Sequence, residues 1–209
     1  MQKLIRKVPK NIYLLISIIL FAFVVPIFGN AEIKYLLFEI SYTIMLLSIF
    51  SILDKKTSGL KSILLLSIST IWINSFFDNS IIQYATYTFS TLVLIITTGL
   101  MINQIIYSRN VNAKIIIDTI CGYLLLGIIL FFLNSIILWN NPDAIKFSQV
   151  HTTGNVIYYS YITITTIGFG EIVPVSSVAR SLSILFGVIS QLYLALIIAF
   201  ILSKFTNKD

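Results

Sequence analysis

Six apolar stretches divide this 209-residue chain. Each is long enough to cross a hydrocarbon layer, and together they limit the fold more than any other feature. They run over about Ile12 to Phe28, Ile33 to Leu53, Leu60 to Phe77, Ile81 to Ile106, Ile115 to Trp139 and Val178 to Phe205. In lipid every backbone polar group needs a partner within the protein, so stretches of this kind become helices. The last is the longest and is expected to cross with a tilt. With 57% hydrophobic and 11% charged residues, a soluble domain is excluded. The first stretch follows Lys3, Arg6, Lys7 and Lys10 and has the outline of a secretory leader, but its apolar run is longer than a leader needs. It is read as a span.

The placement of charge orders these spans. Beside the N-terminal group, Lys55, Lys56 and Lys61 follow the second stretch, Arg109 and Lys114 the fourth, and Lys204 and Lys208 the sixth. Only Lys34, Lys146 and Arg180 lie on the other side. Basic residues gather on the cytoplasmic face of membrane proteins, so six crossings with both termini cytoplasmic are expected. The basic excess thus follows topology and does not mark a nucleic-acid-binding face. Cys121, the single cysteine, excludes an intrachain disulfide and is expected to be a small buried hydrophobe.

The segment from Asn140 to Ser177 departs from this pattern. Asn140-Asn141-Pro142-Asp143 is a turn or helix-cap signal. The apolar, aromatic run Val156 to Thr165 that follows is too short to span, so it predicts a re-entrant helix. Thr165-Thr166-Ile167-Gly168-Phe169-Gly170-Glu171 comes next. Gly168 and Gly170 can take positive φ without a Cβ penalty, so successive carbonyls can face one way. Irregular backbone at membrane depth is tolerated where it lines a cavity. A ring of such loops would replace the water shell of a cation, with the Thr166 hydroxyl added to the innermost ring. One loop cannot encircle an ion, so several copies are needed.

The fifth stretch, the short helix, Thr166 to Glu171 and the last stretch resemble the pore domain of potassium channels, from about Asn112 to Phe205. The resemblance is to a bacterial six-span member. It implies an all-α membrane protein with six transmembrane helices, a re-entrant pore helix and a filter loop, assembled as a homotetramer in the plasma membrane. Residues 1–110 would form a four-helix module and 111–209 the pore domain. The filter is similar to the family's Thr-Val-Gly-Tyr-Gly, with Ile167 and Phe169 as departures. The resemblance implies potassium ions, and no other cofactor, held at Thr166, Ile167, Gly168 and Phe169, with Gly170 permitting the backbone geometry. Glu171 would supply a carboxylate at the outer mouth, unless it is a solvated loop charge. Tyr158 and Tyr159 sit where the family packs an aromatic pair around the filter, though generic interface aromatics would read the same way. Thr165 belongs to the same support. Ile162 stands where some members carry a bracing Glu, and Phe169 lacks the tyrosine hydroxyl.

Other positions stay open at this level. Gly187 is either a hinge in the last helix or a site of close packing. His151 is either an external pH sensor or a solvated loop residue. Glu39 and Asp118 are acids within or near apolar stretches, close enough to their ends to reach an interface. The fourth stretch, which in a voltage-gated layout would carry the gating charges, contains no Lys or Arg. No ligand-binding cytoplasmic domain is expected in the residues after Lys204. No nucleophile motif, metal cluster or phosphate loop is present in the sequence, so an enzyme is not expected. The leading reading is passive, potassium-selective conduction without strong voltage gating. A nonselective cation channel, and more distantly a transporter, are the alternatives.

Overall fold

The computed structural model describes residues 11–28, 31–53, 58–77, 80–108, 112–148 and 152–206. Seven helices carry the fold: α1 (Asn11–Ile19), α2 (Ala31–Ile52), α3 (Ser58–Phe77), α4 (Ser80–Tyr107), α5 (Ala113–Asn140), α6 (Thr153–Ile164) and α7 (Ser177–Thr206). α1 continues through a π turn (Leu20–Val24) into a 3-10 turn (Val25–Ile27). Pro26 removes a backbone donor where the coil tightens. By length and composition α2, α3, α4, α5 and α7 are able to cross a membrane, while Asn11–Ile27 is a shorter apolar helix. Their bounds lie within two residues of the apolar stretches.

α5 is the hub. Of its apolar span 67% is buried, against 22% for α7. It packs on α4, α1, α6 and α7, and one continuous apolar core runs from Leu14 and Phe21 through Leu94 and Phe131 to Tyr161 and Phe186. Two glycines let it sit so close to its neighbours. A Cβ on Gly127 would lie 2.7 Å from the Tyr161 ring of α6, and one on Gly122 would meet the Tyr193 hydroxyl of α7. Most buried hydroxyls within the spans are satisfied locally, the Tyr42 and Thr98 hydroxyls being exceptions. Ser48 donates to the Ile44 carbonyl and Thr97 to that of Val93, both at 2.8 Å, which removes the cost of a bare polar group in an apolar setting.

A small antiparallel ribbon joins the connections on either side of α6. β1 (Ile145–Phe147) pairs with β2 (Ile172–Pro174), Ile145 opposite Pro174 and Phe147 opposite Ile172. An all-helical reading missed it, because three-residue strands are too short to show alternation. The Asn140–Asp143 signal ends α5 and caps a 3-10 turn through the Asn141 side chain, which accepts from the Asp143 amide at 3.1 Å.

The starts of α1 and α5 lie at one end of the bundle, where Asn11 meets Asp118. At the other end Lys34 of α2 lies over Gly154 at the start of α6. Lys3, Arg6, Lys7, Lys10, Lys55, Lys56, Arg109, Lys208 and His151 fall outside the described residues.

Candidate functional site

α6 begins with a capped turn. The Thr152 side chain accepts from the Asn155 amide at 3.3 Å, satisfying one of the free amides of the first turn. The helix is driven inward by side chains that reach α5 and α7. Tyr161 donates its hydroxyl to the Leu124 carbonyl at 2.9 Å, and Asn134 donates to Ser160 Oγ at 3.1 Å. Tyr159 is buried and its hydroxyl lies 2.7 Å from Ser183 Oγ of α7. At the C-terminal end the free Ile164 carbonyl accepts from Ser190 at 2.7 Å and from Tyr123 at 3.2 Å. The helix is thereby tied at its end to both long neighbours.

Beyond Ile164 the chain turns back. Thr165 ends the helix, and its hydroxyl donates to the Tyr161 carbonyl at 2.7 Å. The Thr166 hydroxyl donates to the Thr165 carbonyl at 2.7 Å. The amide of Gly168 bonds the Ile162 carbonyl at 3.2 Å. So position 162 supports the loop through its backbone, its apolar side chain being buried in the core. No motif marks that role, because any residue carries a carbonyl.

The loop backbone alternates in hand. Thr166, Gly168 and Gly170 have φ of 59°, 52° and 90°, whereas Ile167 and Phe169 between them stay in the ordinary negative range. Alternation of this kind lets successive carbonyls face one side instead of opposite sides. The glycines adopt it without strain. At Thr166 a branched residue takes it on, a cost borne by the surrounding structure. All five residues from Thr166 to Gly170 are exposed, Ile167 by 55% and Phe169 by 73%.

Glu171 follows the loop and is half-buried. Its Oε1 is buried without a hydrogen-bond partner among the described residues. Tyr158 lines the same small cavity as the carboxylate, whose hydrogen-bonding and charge hold the phenol above its usual range. Tyr158 is itself 40% exposed, so the two adjacent tyrosines differ: Tyr159 faces α7 and Tyr158 faces Glu171. β2 begins at the next residue and fixes the outgoing chain to β1. Gly187 lies within an unbroken α7, and a Cβ there would meet nothing within 4 Å. Close packing within the subunit therefore does not explain it.

A second polar cluster sits at the opposite end of α5. Asp118 is fully buried, forms an ion pair with Lys114 at 3.1 Å and accepts from the Asn11 amide of α1. Lys114 also donates to Gln104 of α4 at 3.2 Å, and Tyr193 of α7 donates to the neighbouring Thr119 carbonyl at 2.8 Å. The acid does not reach an interface on its own; its partners on α1 and α5 meet it inside.

Residues 118–207 match the family model described as "Ion channel". Sixty-four residues, 31% of this chain, are 34% identical to a protein named "Two-pore potassium channel 2" from Arabidopsis thaliana. The chain covers 13% of that relative's length. No solved structure matches the chain significantly. Residues 118–207 thus resemble an ion channel domain, and what they resemble is a channel and not an enzyme.

Proposed function

We propose that four copies of this chain surround a pore and that Thr166 to Gly170 of each copy form a potassium-selective filter. One observation carries the reading. A loop of alternating backbone hand stands fully exposed, with two large apolar side chains uncovered, at the end of a helix too short to span. Apolar surface of that kind needs a cover. Copies arranged around an axis supply it while turning the carbonyls of Thr166, Ile167, Gly168 and Phe169 toward a dehydrated cation. The C-terminus of α6 points its partial negative charge to the same place.

In this reading residues 111–209 form the pore unit and residues 1–110 an accessory module of four spans, with both termini cytoplasmic in a plasma membrane. Glu171 sets a carboxylate ring at the outer mouth, with Tyr158 of α6 beside it. Conduction is passive. The protein reconstituted in liposomes is expected to release potassium down its gradient much faster than sodium. Gly168→Ala, which puts a Cβ on a residue at φ 52°, is expected to abolish the flux while leaving assembly intact. Equal sodium and potassium flux would replace this reading with a nonselective cation channel; potassium flux surviving in Gly168→Ala would remove the loop from the conduction path.

A further inference from the structure

A cavity of about 280 Å³ opens between the ends of α2, α3 and α4, where they meet α5 and the first residues of α6. It is separate from the loop described above. Glu39 stands half-buried in its wall, with no cation paired to it among the described residues. An unpaired carboxylate near the end of an apolar span is stabilised by a cation brought to it. Lys34, on the preceding turn and a half, lies over Gly154 and does not line the cavity.

The rest of the wall says what kind of cation would fit. Two buried polar atoms of the wall have no hydrogen-bond partner among the described residues, the Asn74 amide oxygen, which accepts, and the Tyr42 hydroxyl, which can accept or donate. The Tyr87 hydroxyl accepts from one of the two Gln83 amide N–H groups at 3.1 Å. The Thr86 hydroxyl is likewise engaged, donating to the Ile82 carbonyl at 2.9 Å. Aromatic rings complete the lining. Phe132 packs 5.2 Å from Tyr42 and 5.9 Å from Tyr87, centroid to centroid, and Phe38 adds another face. One carboxylate is too few for a hard metal ion, which takes six or more oxygens. An acid, a free amide oxygen and aromatic faces are elements that bind an organic ammonium, by ion pair, N–H donation and cation–π attraction.

We propose that this cavity is a binding site for an organic ammonium group, paired with Glu39 and packed against the aromatic wall. The volume admits a primary amine bearing a small apolar body, or the head of an amino lipid. Thr152 and Thr153 line the same cavity, so a bound amine would touch the start of α6.

The test is calorimetric titration of the full chain in dodecyl maltoside with phenethylammonium chloride. Saturable binding is expected, at least tenfold weaker for the neutral isostere 2-phenylethanol. Glu39→Gln is expected to weaken the amine at least tenfold with an unchanged melting temperature, and Glu39→Asp to restore part of it. Gly168→Ala is expected to bind as the wild type does, whether or not the loop conducts. Repeating the titration after adding phosphatidylethanolamine identifies the source: displacement assigns the site to a lipid headgroup, and undiminished binding to a free amine. Equal affinity for the alcohol, unweakened binding in a folded Glu39→Gln protein, or binding lost only in Gly168→Ala would each overturn the proposal.

Discussion

Gly127 shows how much a single missing methyl group can decide. The Tyr161 ring occupies the space a Cβ would need, with Ile164 Cδ1 3.1 Å away. The ring cannot simply swing aside, because its hydroxyl is bonded to Leu124. Gly127→Ala should therefore overpack the joint between α5 and α6, at a cost of about 1–3 kcal/mol. Thermal unfolding in detergent would read this as a lower melting temperature, partly recovered by adding Tyr161→Leu. A Gly127→Ala protein as stable as the wild type would show that the joint is loose. Nothing in the sequence separates Gly127 from a tolerated helix glycine, whereas Gly168 and Gly170 stand in a motif whose spacing demands positive φ. Thr166 lies between these cases: its place in the motif is legible, but its left-handed backbone is seen only in the structure.

Among elements, α5 gathers the most consequences. Its C-terminal half receives α6, and its first turns hold Asp118 with partners from α1 and from α5 itself. Asp118→Ala would leave the buried Asn11 amide without its acceptor, a cost of about 1–3 kcal/mol. Asp118→Asn keeps an acceptor and loses only the pair to the half-exposed Lys114, where solvent screens the attraction. Melting temperatures should fall in the order wild type, Asn, Ala; an Ala variant equal to the wild type would show that the cluster contributes no stability. The helices themselves were legible, since long apolar runs bounded by polar residues leave the backbone little choice. The cluster was not, because the Asp118 partner on α1, Asn11, is separated from it by 107 residues. The β1–β2 ribbon escaped for a related reason: its strands are fixed by pairing across α6, not by their own pattern.

For the whole molecule, the first four helices do not stand apart from the rest. α1 reaches past α2 to place Phe23 5.0 Å from the Tyr161 ring, and Phe21 lies 6.1 Å from Phe131. Yet α4, from Ser80 to Tyr107, holds no basic residue. Each charge moved through the field is worth ~2.3 kcal/mol per 100 mV, and α4 offers none to move. Currents from the reconstituted protein are expected to vary only shallowly with voltage. A steep activation curve, equivalent to several gating charges per subunit, would contradict this.

The sequence by itself determined the helices, the short helix between two long ones and the glycine spacing of the loop. These follow from hydrophobic length and backbone sterics, which act over a few residues. Only the tertiary structure decided that Glu171 shares a cavity with Tyr158, that Ile162 supports the loop through its carbonyl, that Asp118 is buried in a pair, and that Glu39 faces an aromatic cavity. Each of these depends on which helix faces lie against one another, a choice made by packing between distant segments.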